Sequence, residues 1–301
     1  MSSNLFIRHP DRSGGIFSST LRFSKGARND WAGNYLGQPV VWMYVLFSLF
    51  LLSFAFPMRL ISSAPSITET VYLLGAQKNL VAVSKYCDYP EQARSLPNIG
   101  GYYDFNQEEI LWLKPDRVLL LKDADLLKNF LREHHISYDA FNNESINGIY
   151  EMILKIGEIT NTGVSAVKEV RELKMKMNES RELFKNRPKR KVLVILEQVV
   201  KNKKVESAYV LGKEKFYAEI LKVLNFENVY RGGQKYPLVS REGLLYFNPD
   251  MIIVLENGDK QEYSGLPIKA VKGGHIYFFK NEVMKRPGPR FIEIIEALSE
   301  L

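Results

Sequence analysis

The chain has 301 residues, of which 46% are apolar and 25% charged, and its formal net charge is +7. This composition is ordinary for a globular protein and excludes a disordered or collagen-like chain, while the length corresponds to about two domains. The single cysteine, Cys87, excludes an internal disulfide and any zinc site built from several thiolates. A positive charge favours nucleic-acid or membrane partners, so the distribution of that charge decides what it implies.

The densest positive charge lies in residues 1–55, where five basic and two acidic residues give a net charge of +3. Elsewhere the longest basic run is 187–191, which we interpret as a solvated turn before a strand at 192–196. No zinc finger, helix-turn-helix spacing or aromatic-basic stripe accompanies these charges. We therefore predict no nucleic-acid partner.

Residues 40–56 form an uncharged apolar stretch that follows the basic segment. Its length lies between that of a signal-peptide core and that of a membrane-spanning helix, and Ser53-Phe54-Ala55 has the small residues that signal peptidase requires. We expect residues 1–55 to be a leader that is cleaved after Ala55, with an uncleaved membrane anchor as the alternative. No cysteine follows the apolar stretch, so we expect no lipid anchor at that point.

The part after the leader alternates strands and helices, which is the pattern of parallel α/β units. Apolar runs predict strands at 59–62, 81–83 and 118–121. Between the first two, Ser66-x-x-Glu69 predicts a capping box that opens a helix ending at Gly75.

A different pattern occupies the middle of the chain. Residues 163–186 contain no proline and no internal glycine, so they predict one helix about 36 Å long that acts as a rigid strut. Strand-helix alternation resumes at 191–196 and continues to a last helix at 289–301. We therefore predict an N-terminal α/β lobe at 56–160, a linking backbone helix at 161–187 and a C-terminal α/β lobe at 188–301.

An internal repeat relates the two predicted lobes. Residues 106–121 align without a gap with 240–255, and each copy predicts a helix cap, a short helix, a Pro-Asp turn and a buried strand. The same offset pairs Tyr102 with Tyr236 and Glu108 with Glu242. The glutamates fit either a helix-dipole role or a contact with a two-fold partner, and the tyrosines fit either packing or a ligand cleft between the lobes.

These segments resemble the periplasmic cobalamin-binding proteins of ABC importers, a group of helical-backbone binding proteins that also includes ferric-siderophore and haem binders. The resemblance covers residues 58–301 and is carried by the following motifs: Leu60–Glu69, Val83–Pro90, Pro97–Gly101, Leu113–Asp116, Tyr236–Glu242, Asn248–Asp250 and Arg286–Arg290. It implies two α/β lobes with parallel-type sheets flanked by helices, one long rigid helix that joins them, and a ligand cleft between them.

The resemblance also implies roles for individual residues. Glu108 and Glu242 match the family's docking glutamates, which meet arginines of a permease dimer that works with ATPase subunits. Aromatic positions that contact a corrin ligand are matched by Tyr102, Tyr209 and Tyr236. Further ligand contacts are expected from three more side chains: Tyr86, Tyr89 and Arg286, the last of which is equally well explained as a surface arginine.

The predicted protein is therefore a periplasmic, non-catalytic binder of a small molecule, with cobalamin or a related corrinoid as ligand and haem or a ferric siderophore as alternatives. We predict no cofactor and no metal site, because the four histidines do not share a pattern typical of ligands. An enzyme is disfavoured because the chain has no G-x-G-x-x-G, P-loop or G-x-S-x-G motif. A membrane-tethered sensor is the remaining alternative, and otherwise we expect the membrane to be contacted only through the leader or the permease.

Overall fold

The computed structural model of the chain describes residues 57–301, which form one compact unit. Residues 1–56, and with them the predicted leader and its apolar stretch, lie outside the described residues. Within 57–301, none of the helices combines the length and the apolar character that crossing a membrane requires.

The first lobe is built on a four-stranded parallel sheet with the order β2-β1-β3-β4. Its strands are β1 (Leu60–Ser62), β2 (Leu80–Val83), β3 (Arg117–Leu121) and β4 (Tyr138–Phe141). Three helices connect or flank them: α1 (Pro65–Leu73), α2 (Gln107–Leu113) and α3 (Asp125–Glu133). The three strands predicted from apolar runs are confirmed, and β3 is buried over most of its length, as a central parallel strand should be.

The second lobe contains a six-stranded mixed sheet. Its strands are β5 (Arg190–Lys201), β6 (Lys204–Val210), β7 (Phe226–Asn228), β8 (Leu238–Ser240), β9 (Met251–Val254) and β10 (Ile276–Phe278). Four of them form a parallel group in the order β7-β5-β9-β10, which is the arrangement of the first sheet with β5 in the place of β1. The far end of β5 continues into an antiparallel extension formed with β6 and β8.

Helices complete the second lobe and the connection between lobes. The connection is made by α4 (Ile146–Ile159) and α5 (Gly163–Phe184), and the second lobe carries α6 (Lys215–Val223), α7 (Arg241–Phe247), α8 (Lys269–Lys272) and α9 (Phe291–Ser299). The predicted long helix is therefore present as α5, whose 22 residues span about 33 Å. The exact lobe boundaries predicted at 160 and 187 remain a prediction.

The repeat recognised in the sequence is also a repeat of backbone conformation. Asn106 caps α2 by accepting a hydrogen bond from the Glu109 amide, and Ser240 caps α7 by accepting one from the Gly243 amide. Both helices have seven residues and end in a left-handed residue, with φ 44° at Lys114 and 42° at Asn248. Local capping chemistry thus places the two helices in equivalent positions next to β3 and β9.

The two lobes share one hydrophobic core. One face of each sheet packs against a common layer of helices, so that Leu60 and Leu119 belong to the same buried cluster as Val192 and Met251. Residues of α4 and α5 lie in this cluster, and the rings of Tyr150 in α4 and Phe291 in α9 pack edge to face with centroids 6.1 Å apart. A continuous core of this kind resists separation or large rotation of the lobes.

Polar contacts reinforce the junction on the side of α1 and α9. The guanidinium of Arg290 donates two hydrogen bonds, of 3.0 and 2.9 Å, to the carboxylate of Glu69, whose side chain is only 4% exposed. Arg286 forms an ion pair with Asp88, and the Asn143 side-chain amide donates to the Pro287 carbonyl at 3.1 Å. The segment 286–290 of the second lobe is therefore held against the first lobe at three points, and we call it the clasp.

The predicted capping box at Ser66 is wrong. The helix begins two residues earlier than a cap at Ser66 requires, at Pro65, and its N-cap is Ala64, which provides no side-chain cap. Proline is favoured in the first turn of a helix because its missing amide hydrogen would be unpaired there. Glu69, which the capping box requires, is instead turned into the junction by its paired hydrogen bonds with Arg290.

The basic run 187–191 is a solvated connection only in part: Pro188 and Lys189 are exposed, whereas Arg187 and Arg190 are partly buried. Arg187 donates to the Ser299 carbonyl, and its guanidinium lies 5.1 and 5.3 Å from the ring centroids of Phe184 and Phe226. Arg190 already belongs to β5 and donates to the Leu301 carbonyl at 2.8 Å. Cations at a helix C-terminus stabilise its unpaired carbonyls, so these arginines hold the end of α9.

The substitution Arg290→Met should lower the free energy of unfolding by about 3–5 kcal/mol, because it leaves the buried Glu69 carboxylate without its partner. Urea unfolding followed by circular dichroism measures the change. The matched control is Lys155→Met, which removes an exposed ion pair with Glu158 and should cost less than about 1 kcal/mol. Equal effects of the two substitutions would show that the Glu69–Arg290 pair does not stabilise the junction.

Candidate ligand cleft and docking surface

Tyr102 and Tyr236, the tyrosines paired by the repeat, lie in partly buried, acidic surroundings. Tyr102 precedes α2, and burial and the neighbouring Asp123 carboxylate raise the pKa of its phenol. Burial is also the main cause of a raised pKa at Tyr236, with contributions from the charges of Glu214, Glu144 and Asp123. On the first lobe Tyr102 thus lies beside Asp123, two residues after the end of β3, whereas the main charge acting on Tyr236 is that of Glu214.

The second lobe presents Tyr236 as part of an exposed apolar wall. Tyr209 on β6 lies opposite Leu238 on β8, and the ladder continues through a hydrogen bond from the Gly212 amide to the Lys235 carbonyl. This register places Tyr209 and Leu238 on one face, because residues directly opposite each other in paired strands share a face, and Tyr236 lies in the bend that leads into β8. They are 41%, 55% and 51% exposed, while Val210 and Val239 on the other face are buried.

The first lobe adds Tyr86 beside the loop that carries Tyr102. The Lys85 amide donates to the Gly100 carbonyl at 2.9 Å, and the Lys85 ammonium forms an ion pair of 2.6 Å with Asp104. These bonds fix the segment after β2 against the segment 100–104. Tyr86 itself remains 52% exposed, so its ring is available to a ligand.

Tyr89 and Arg286 lie in different surroundings from these four tyrosines. The Tyr89 ring is covered by the guanidinium of Arg290, 3.6 Å from the ring centroid, and it borders a pocket formed with α1 and α5. Arg286 is occupied by its ion pair with Asp88 and lies near Glu282, at 3.6 Å. Both residues therefore lie at the clasp. A contact with ligand remains a prediction for each of them.

The charges around the cleft are acidic or already paired. Lys235 forms an ion pair with Glu144, so the loop of Tyr236 is tied to the residue that follows β4 of the first lobe. Glu214 caps α6 by accepting hydrogen bonds from the Phe216 and Tyr217 amides, and its burial raises the pKa of its carboxyl group. Asp123 is exposed and lies beside Tyr102 of the same lobe.

This arrangement of aromatic faces, phenol donors and one carboxylate suits a large ligand with apolar surfaces and amide groups. Sequence reasoning missed Asp123 and Leu238. Asp123 follows the buried parallel strand β3, and ligand-binding residues of α/β proteins often lie just after such strands. Its position in the sequence therefore could have identified it as a candidate site residue. Leu238 could have been identified because it lies two residues after Tyr236, at the start of a strand.

The two predicted docking glutamates are exposed on the first turns of α2 and α7. Hydrogen bonding with Ser240 lowers the pKa of Glu242, so this carboxyl group is ionised at neutral pH. Among residues 57–301 there is no group of three or more His, Cys, Asp or Glu side chains arranged to hold a metal ion.

The sequence matches the periplasmic binding protein family over residues 60–283. An ABC transporter substrate-binding lipoprotein of Bacillus subtilis is 27% identical over 254 residues, which cover 81% of this chain and 79% of that protein. A vitamin B12-binding protein of Vibrio vulnificus is 25% identical over 249 residues, which cover 80% of this chain and 89% of that protein.

Solved structures share the fold. The periplasmic vitamin B12-binding protein of Vibrio cholerae has a TM-score of 0.71 and 22% identity, with 81% of this chain and 96% of that chain covered. A periplasmic haem-binding protein of Vibrio cholerae has a TM-score of 0.68 and 22% identity, with coverages of 81% and 98%. A possible iron-binding protein of Staphylococcus epidermidis has a TM-score of 0.67 and 26% identity, with the same coverages.

The two-lobe α/β fold and the long connecting helix thus agree with the fold of known solute-binding proteins. The family match extends from β1 to the start of the clasp and covers most of the described residues. The chain belongs to the periplasmic binding protein family, whose members are the solute-binding, non-enzymatic components of ABC importers.

Proposed function

We propose that this protein captures cobalamin or a related corrinoid between its two lobes outside the cytoplasmic membrane and delivers it to a permease dimer with its ATPase subunits. The observation that carries the proposal is the pair of repeat-related tyrosines, with Tyr102 beside Asp123 on the first lobe and the half-exposed Tyr236 on the second. Aromatic side chains offer flat apolar area together with hydroxyl hydrogen bonds, at a small cost in conformational entropy. Tyr86 and Tyr209 extend the same type of surface on the two sides.

The chemistry of the cleft favours a corrinoid over haem. A corrinoid carries neutral carboxamide groups, whose N–H groups can donate to Asp123 and whose carbonyls can accept from the tyrosine phenols. Haem carries anionic propionates, which the Asp123 carboxylate would repel. Binding of haem iron by a tyrosine requires the phenolate, whereas burial and the nearby carboxylates raise the pKa of Tyr102 and Tyr236 and so favour the phenol.

A ferric siderophore is disfavoured because the arginines of the motif at 286–290 already form ion pairs within the protein. An anionic siderophore complex needs cations that can turn towards it. Arg286 and Arg290 are the arginines of the motif at 286–290, and both are already paired, with Asp88 and Glu69. The relatives named as vitamin B12-binding proteins support the corrinoid, while the haem-binding and iron-binding structural neighbours make the other two ligands the necessary comparisons.

Purified protein should bind cyanocobalamin with one site per chain. Haemin and a ferric catecholate siderophore should bind at least about tenfold more weakly, a difference of about 1.4 kcal/mol, because both are anionic. Absorption titrations measure all three ligands on the same preparation. Tighter binding of haemin or of the siderophore would overturn the choice of ligand while leaving the family assignment intact.

Tyr102→Ala and Tyr236→Ala should each weaken cyanocobalamin binding by about tenfold, since each removes one aromatic wall of the cleft. Tyr102→Phe and Tyr236→Phe keep the aromatic ring and should therefore lose less affinity for cyanocobalamin than the alanine variants. The matched control is Tyr246→Ala, which removes an exposed tyrosine of the second lobe that lies on α7, outside the cleft residues. Isothermal titration calorimetry gives the affinities, and unchanged binding in both alanine variants would argue against this cleft.

The double substitution Glu108→Lys with Glu242→Lys should abolish uptake of labelled cyanocobalamin by whole cells, because it reverses the charge of both docking points. Affinity for the ligand should stay within about twofold of the parent protein, since neither side chain belongs to the cleft. Glu109→Lys, one residue further along α2, is the matched control and should leave uptake intact. Normal uptake by the double variant would refute docking through these glutamates.

A further inference from the structure

The repeat places more than a glutamate on the outer face of each short helix. In α2 the side chains of Leu111 and Trp112 are 41% and 75% exposed. In α7 the residues at the same offset, Leu245 and Tyr246, are 37% and 85% exposed. Each aromatic residue follows the glutamate of its helix by four positions, so the charge and the ring are neighbours on one face.

The exposure of these rings is not required by the packing of the lobes. Ile110 and Leu113 bury the inner face of α2, and Leu244 does so for α7. Trp112 and Tyr246 stand on the opposite side, where a polar residue would serve folding equally well. Large aromatic side chains that are solvated in the free protein are the residues most enriched at the energetic centres of protein interfaces.

We propose that Trp112 and Tyr246, supported by Leu111 and Leu245, are paired anchors that enter apolar pockets of the permease dimer beside the cations that receive Glu108 and Glu242. The inference rests on the proposed function, in which the two glutamates dock on that dimer. The aromatic residues add an uncharged contribution to a contact that the glutamates make through charge. Each half of the permease dimer should accordingly present a cation next to an apolar pocket.

The repeat explains why the partner should have two equivalent halves. A glutamate, a leucine and an aromatic residue occur in the same order and at the same spacing on α2 and on α7. One chain thereby offers two similar surfaces to a partner with two-fold symmetry. On α7 the adjacent Arg241 donates to the carbonyls of Val205 and Ser264 and forms no ion pair with Glu242, so the Glu242 carboxylate stays open to a partner.

Charge and aromatic contacts are separated by their dependence on salt. Attraction between exposed charges weakens as salt is added, whereas burial of an aromatic ring does not. The complex of the full chain with the host's permease and ATPase in nanodiscs should therefore retain measurable affinity at high salt. That residual affinity is the part assigned to Trp112 and Tyr246.

The test measures binding of the full chain to these nanodiscs at low and high salt, with cyanocobalamin titrated separately. Trp112→Ala and Tyr246→Ala should each weaken the complex by about tenfold, and the double variant by about a hundredfold, with the salt dependence unchanged. Leu183→Ala, which truncates an exposed leucine of α5 that is 74% exposed, is the control and should bind normally.

Each outcome has one meaning. If the double alanine variant binds like the parent protein while Glu108→Lys with Glu242→Lys abolishes binding, docking stands and the aromatic anchors are refuted. If neither set of substitutions affects binding, docking by this face fails as a whole. Loss of cyanocobalamin affinity or a lower melting temperature in the alanine variants would also refute the inference, because the anchors would then act through the cleft or the fold.

Discussion

The single hydrophobic core beneath both sheets is the constraint on which the rest of this molecule depends. Each sheet buries one face against the helix layer formed by α1, α4, α5, α6 and α9, so neither lobe can move without breaking contacts of the other. Most two-lobe proteins with strand connections can hinge, but a helical connection that is itself packed into the core removes that freedom. The distance between the two walls of the candidate cleft is therefore set by packing.

Electrostatics act at the edges of that core. The clasp joins the lobes through Glu69, Asp88 and Asn143, and the Glu69–Arg290 pair is almost fully buried. On its own a buried ion pair contributes little net stability, but once formed it strongly penalises any arrangement that separates its members. The clasp consequently specifies how the lobes are oriented, while the apolar core supplies most of the free energy that holds them together.

Much of this fold could be predicted from local sequence, and the reasons for the exceptions are physical. The gapless repeat predicted α2, α7 and their neighbouring strands because caps, Pro-Asp turns and apolar runs act over a few residues. The role of Glu69 could not be predicted, since Arg290 lies 221 residues away and only the packed fold brings them together. The contacts of Arg187 and Tyr89 could not be predicted for the same reason, because their partners, Ser299 and Arg290, are distant in the chain.

The candidate site shows the same division between local and distant information. Tyr102 and Tyr236 could be singled out because their shared offset makes them equivalent. The position of Tyr102 beside Asp123 depends on how the loop before α2 packs against the end of β3, which no local pattern encodes. Asp123 in turn changes the chemistry expected of the tyrosines, since a nearby carboxylate favours phenol donors over phenolate ligands.

The repeat finally explains how one scaffold separates two recognition tasks. In each lobe the loop before the short helix carries the tyrosine that faces the cleft, and the helix itself carries a glutamate and an aromatic ring on its outer face. Under the proposed function, two adjacent segments of about ten residues serve ligand and partner without sharing a side chain. Because the common core fixes both copies relative to each other, the spacing of the cleft walls and the spacing of the two outer faces are set by the same packing. Selection of the ligand can then follow from the chemistry of the walls, and selection of the partner from a matched pair of surfaces, with neither depending on a large closure of the lobes.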